Sequence, residues 1–86
     1  MKRHQLKCQP EAFAPVLAGQ KTSDYRADDS LGYFVGDVLI LLEWRPAAGR
    51  GVYTGREVEV EVTHIVRGPA SGIPADYVMM SIRRIK

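Results

Sequence analysis

The sequence predicts a mainly β fold with one or two short helices, an α+β chain whose small sheet curls into a barrel with a helix packed against one end. Three observations predict it. Five strand-like segments and one clear helical segment share 86 residues, mostly joined as hairpins, and a sheet that closes on itself removes its exposed edges. Val58, Val60 and Val62 alternate with Glu57, Glu59 and Glu61, the period of a half-buried strand. Residues 38–42, "VLILL", form an unbroken apolar run, as expected of a strand covered on both faces. A chain this short is one domain over residues 1–86. Such a domain buries only about 60–65% of its unfolded surface, which leaves little room for a deep cavity.

Taken in order, residues 3–8, "RHQLKC", read as a short strand. In "QPEAFAPVLAG" Pro10 suits a first helical turn and Glu11 suits the positive end of the helix dipole. Phe13, Val16 and Leu17 share one helical face, and Gly19 is a C-terminal stop. Pro15 removes a hydrogen bond and crowds the preceding turn, so the helix is expected to be short and kinked or restarted near Ala14. "KTSDYR", residues 21–26, follows as a strand, and "ADDSLG", residues 27–32, as a turn region. "VGDVLILLEW" is the buried strand, introduced by a Gly-Asp turn. "RPAAGRGVYTG", residues 45–55, with three glycines and a proline, reads as a long hairpin loop. "REVEVEVTHIV" is the acidic-faced strand, "RGPASGIPA" a loop, and "DYVMMSIRRIK" a last strand with Val78, Met80 and Ile82 in phase.

Composition narrows the function classes. The chain is 45% hydrophobic and 26% charged, which argues against disorder. Its single cysteine, Cys8, permits no internal disulfide and suits a reducing cytoplasm. The basic start "MKRHQLKC" leads into no apolar run, so no secretory signal is expected, and five apolar residues are far short of the roughly 20 needed to span a bilayer. The net charge of +2 is unevenly spread: residues 1–26 carry +3, residues 27–44 carry −4 and residues 45–86 carry +3. A basic face forms if the two terminal thirds adjoin, a weak pointer to nucleic acid.

Several chemistries find little support. His4 and Cys8 on one strand stand about 13 Å apart, too far for a shared metal, and His64 reads as a partly buried strand histidine. No metal or cofactor is expected. No serine lies in an elbow context, and Cys8 reads as a small buried hydrophobe. "AAGRGVYTG" lacks the ending of a phosphate-binding loop. Trp44 and Tyr53 flank the long loop beside Arg45, Arg50 and Arg56, and aromatics beside arginines stack on unpaired bases; Trp44 serves equally to close the core. "AGQKTSDYR" sets Lys21, Asp24 and Arg26 just after a glycine. Asp24 and Arg26, two apart on a strand, share a face. They either pair as an ordinary solvated surface or present cations at a barrel mouth with a carboxylate holding them.

Gly19, Lys21, Asp24 and Arg26 together resemble the "GxKxxExR" signature of ASCH domains, a branch of the PUA-like barrels, with Asp24 at the glutamate position. "VGDVLILLEW" and "YTGREVEVEVTHI" are similar to later landmarks of a small bacterial and phage branch of that superfamily, so the resemblance covers essentially the whole chain. It implies a β-barrel with a helix against it and a cleft where the signature lies. It also implies binding of RNA or a nucleotide, with Lys21, Asp24 and Arg26 at the cleft; the basic-aromatic loop adds Trp44, Tyr53 and Arg56 as its expected border. Some small ASCH proteins are amidohydrolases that deacetylate acetylated cytidine, which implies Lys21, Thr22 and Asp24 as an alternative catalytic set. Those enzymes carry threonine three residues after the lysine, where this chain has Asp24. A carboxylate beside a lysine favours the charged ammonium, which suits gripping an anion better than taking up a proton. A third reading is a protein-interaction module that presents the "EVEVEV" strand as an exposed edge. The oligomeric state is left open.

Overall fold

The computed structural model describes residues 1–28 and 32–85. Its elements run β1 (Arg3–Cys8), α1 (Pro10–Leu17), β2 (Ser23–Ala27), β3 (Val38–Ala47), β4 (Arg50–Arg67) and β5 (Tyr77–Arg84). All five strands form one sheet in the order β1-β3-β4-β5-β2. β1 lies parallel to β3, and every other neighbouring pair is antiparallel. The chain is thus mostly β with one short helix, as predicted.

The expected barrel does not close. β1 pairs only with β3, and β2 only with β5, so the sheet is open and these two strands are its edges. The sheet curls until both edges line one cavity. α1, which follows β1 and leads back to β2, lies between them, and its buried Phe13 and Val16 join the core that fills the inner face. That face carries Leu6 and Cys8 of β1, Leu39 and Leu41 of β3, Val58, Val60 and Val62 of β4, and Val78, Met80 and Ile82 of β5. Alternation puts every second residue there, which is why the three valines of β4 are buried while Glu57 is exposed.

α1 is continuous through Pro15, without the expected restart at Ala14. In so short a helix Pro15 forfeits a single bond, to the carbonyl of the exposed Glu11. Gln9, the N-cap, accepts from the amides of Ala12 and Phe13 at 3.0 and 2.8 Å, and the far end closes with Gly19 N–H to Val16 O and Gln20 N–H to Pro15 O. That paired closure is the Schellman pattern. It turns the chain sharply toward β2, which begins at Ser23 rather than Lys21.

The expected loop over residues 45–55 is mostly strand. β3 and β4 stay paired out to Ala47 and Arg50, leaving a two-residue turn. Gly49, at the second position of that turn, has φ 78°, a left-handed conformation that glycine adopts without steric cost. Gly51 is required for space: a Cβ there would stand 1.7 Å from the Trp44 ring. These glycines serve a tight turn and a packed indole, not a flexible loop. β4 is flanked by β3 and β5, so the "EVEVEV" strand is not an edge. Glu59 pairs with Arg3 at 3.2 Å and Glu61 with Arg83, which draws two basic residues of the terminal thirds into neutral pairs. Of the predicted "ADDSLG" turn, residues 29–31 lie outside the described residues. His64 is exposed rather than partly buried, because the register shifts between Val62 and His64 and the residues beyond the bulge change phase.

Candidate functional site

A cavity of about 380 Å³ occupies the seam between the sheet's two edges. Lys7 and Cys8 line it from the end of β1, Gln9, Glu11 and Ala12 from the start of α1, and Lys21, Asp24, Tyr25 and Arg26 from the opposite side. The structure therefore brings together the three charged residues of the "AGQKTSDYR" segment and sets them across from Lys7.

Asp24 and Arg26 face inward from β2, two residues apart. Arg26 Nε donates to Asp24 Oδ1 at 2.6 Å and Nη2 to Oδ2 at 3.1 Å, a two-pronged fork that fixes the guanidinium plane. Burial works against the Arg26 charge, but the hydrogen bonds and charge of Asp24 outweigh it and hold the guanidinium more firmly protonated than usual. The Lys21 ammonium donates to the carbonyl of Ser23. The Lys7 ammonium sits 4.9 Å from the centre of the Trp44 ring. Among the described residues neither lysine has a carboxylate within ion-pair distance. The Cys8 thiol is pushed up by burial first and then by the charge of Asp24. It stays protonated near neutrality, a weak nucleophile. The arrangement is a polar pocket with a rigid donor fork and two lysines that have no carboxylate partner. Donors of this kind match the geometry of an anionic or hydrogen-bonding group.

Trp44, Tyr53 and Arg56 do not line this cavity. They belong to the β3–β4 ladder, where Glu43 alone on β3 faces Thr54, Gly55 and Arg56 between the Leu42–Glu57 and Trp44–Tyr53 pairs. Tyr53 and Arg56 border a smaller hollow of about 110 Å³. Glu43, which the sequence reading passes over, organises the bulge. Its buried carboxylate accepts from Thr54 Oγ1 at 2.7 Å and from Arg56 Nε and Nη2 at 2.9 and 3.1 Å. The bonds from Arg56, then Thr54, hold it below the usual carboxylate range. Arg56 in turn lies 5.1 Å from the Phe13 ring of α1, so this clamp braces the helix that floors the main cavity. The signal was present: one acid ending the apolar run of β3, and "TGR" opposite it in the hairpin. Trp44 is half-buried, its ring packed against Gly51 and under the Lys7 ammonium. Thr22 is absent from the cavity lining; its carbonyl accepts from Ile82 N–H at 3.0 Å.

A second buried polar pair lies elsewhere. His4 Nε2 stands 2.8 Å from Asp37 Oδ2, and Asp37 also accepts from the amides of Lys2 and Phe34 at 2.9 and 3.1 Å. Burial alone would raise this carboxyl, but those donors outweigh it and lower it. The pair ties β1 to the turn before β3. No group of three or more His, Cys, Asp or Glu with metal-holding geometry occurs among the described residues, and no helix there is long and apolar enough to cross a membrane.

Two comparisons bear on this arrangement. Residues 3–82 match a family model described as a domain of unknown function (DUF3850). The chain is also 38% identical over 79 residues to an uncharacterized 12.9 kDa protein in the GpA 3' region of Escherichia phage P2. That match takes in 92% of this chain and 66% of the phage protein, so the chain spans slightly less than two thirds of its relative's length.

Proposed function

The chain belongs to this family, the domain of unknown function DUF3850, and from that premise we propose that the cavity between its edge strands binds RNA or a nucleotide. In this reading the curled sheet with α1 at its seam is a PUA-like fold of the ASCH kind, opened along one side. Lys21 and Lys7 attract the phosphate, and the guanidinium N–H groups of Arg26 that Asp24 does not take, held in plane by that pair, meet a base edge or a phosphate oxygen. Trp44, Tyr53 and Arg56 form an outer rim on the β3–β4 hairpin, and Lys7 spans from the cavity to Trp44. The observation that carries the proposal is the convergence of Lys21, Asp24 and Arg26 on one concavity opposite Lys7. Two of the four are ammonium groups without a carboxylate partner among the described residues.

The amidohydrolase reading has less support. Thr22 is not in the cavity lining, both Asp24 oxygens engage Arg26, and the nearby thiol is held protonated. A protein-interaction module built on the "EVEVEV" strand loses its basis, because that strand is interior to the sheet.

Anisotropy titration of a labelled single-stranded RNA at several salt concentrations tests the proposal. Each phosphate neutralised on a single strand contributes about 0.7 to the slope of log affinity against log salt. Two unpaired lysines give a slope near −1.4, about a sevenfold loss between ~50 and ~200 mM salt. Lys21→Ala is expected to halve that slope. Affinity indifferent to salt, or unchanged in the Lys21→Ala/Arg26→Ala double variant, overturns the proposal.

A further inference from the structure

The strand that carries the cavity's charged residues presents an aromatic platform on its other face. Asp24 and Arg26 point inward from β2, so Tyr25 between them points outward. Its ring stacks on that of Tyr77 in β5, with centroids 5.2 Å apart and planes 21° from parallel. Tyr25 is 47% exposed, Tyr77 38%, and Met79, the register partner of Tyr25, 36%. Two large rings this open on one sheet face are not core. Tyr25 also belongs to the cavity lining, so platform and cavity are continuous through this one residue. β2 is the sheet's edge, so no further strand separates them.

We propose that the site takes a single-stranded RNA segment rather than one nucleotide: the strand crosses the β2 edge, with one nucleotide in the cavity and the next base stacked on the Tyr25–Tyr77 platform. This inference rests on the nucleotide-binding reading of the cavity and extends it. The occupant follows from the chemistry on both sides of the edge. Ammonium groups without a carboxylate partner among the described residues on one side suit phosphate. Exposed near-parallel rings on the other suit the face of an unpaired base, which stacks on tyrosine whatever its sequence. Adjacent residues on a strand are only about 3.3 Å apart along it, so neighbouring nucleotides of one chain can reach both sides. Glu61, farther along the outer face, is already neutralised by Arg83.

Binding of a nucleoside monophosphate is compared with that of an RNA trinucleotide carrying 2-aminopurine, whose fluorescence falls on stacking. Wild type is expected to bind the trinucleotide more tightly and quench it. Tyr77→Ala, at a position outside the cavity lining, is expected to weaken the trinucleotide about tenfold or more, abolish quenching and leave the monophosphate within about twofold. Tyr77→Phe is expected to restore both. Quenching and affinity that survive Tyr77→Ala overturn this proposal alone, as does a trinucleotide bound no better than the monophosphate. Binding of neither ligand by wild type overturns the cavity reading together with it.

Discussion

Replacing Arg26 by alanine tests whether the fork at the cavity is a structural pair before it is a ligand contact. The substitution leaves the Asp24 carboxylate, whose side chain is only 10% exposed, without its two charge-assisted bonds of 2.6 and 3.1 Å. Stranding one member of a fully buried pair costs about 3–5 kcal/mol. The Arg26 side chain is 24% exposed, so water enters when it is removed and the cost falls to about 1.5–3 kcal/mol. An 86-residue domain has a total stability of about 4–13 kcal/mol, and each kcal/mol moves the melting temperature of a domain this size by about 4–8 °C. Urea unfolding followed by the emission of the single tryptophan, Trp44, reads the change directly. Asp24→Ala is expected to cost less, because the guanidinium reaches solvent. The double variant is expected to be more stable than the sum of the singles by about 1–3 kcal/mol. An Arg26→Ala protein within about 0.5 kcal/mol of wild type, or a strictly additive double variant, refutes the reasoning. Arg26→Lys is not expected to rescue, since an ammonium cannot reproduce the planar fork.

Three further outcomes follow from particular contacts. Gly51→Ala drives a Cβ into the Trp44 ring at 1.7 Å; the indole is expected to leave its place beneath Lys7, seen as a red-shifted emission and a lower urea midpoint. Asp37 has its carboxyl lowered in the fold, so its contribution is complete above the ordinary carboxylate pKa of about 3.9 and is lost as pH falls through the lower folded value. Urea midpoints measured from neutral to strongly acid pH are expected to drop on that limb, and Asp37→Asn is expected to flatten the limb while being less stable at pH 7. Glu43 is lowered in the same sense by Arg56 and Thr54. Glu43→Gln is expected to release Arg56 from the Phe13 ring, reducing thermal stability near neutrality and narrowing the difference from wild type as pH falls through the folded pKa of Glu43; an equal deficit at every pH contradicts the clamp.

Much of the fold was legible because alternation and helical spacing are local signals. β1 was read at its true bounds, and the inward phase of Val58, Val60 and Val62 and of Val78, Met80 and Ile82 followed from period two alone. In the hairpin at residues 45–55 glycine marks two different things, so its composition does not separate a loop from paired strands. Gly49 serves a turn, whereas Gly51 makes room for Trp44, and only the partner across the ladder distinguishes them. Pro15 breaks long helices, yet an eight-residue helix sacrifices only one bond to it. The exposure of His64 escapes local periodicity because a bulge shifts phase, and a bulge is set by how two strands pair.

By itself the sequence determined the number and order of the elements, the inward faces of the regular stretches of strand, and the crowding of Lys21, Asp24 and Arg26 after a helix stop, since these depend on neighbours within a few residues. Only the tertiary structure decided that the sheet stays open, that Lys7 of the first strand stands across a cavity from Lys21, and that Arg56 pairs with Glu43. Strand order β1-β3-β4-β5-β2 makes the two edges out of segments that adjoin in sequence, and the curl of the intervening strands brings those edges face to face. That approach arises from the summed twist and packing of the whole sheet, a property no short window of residues contains.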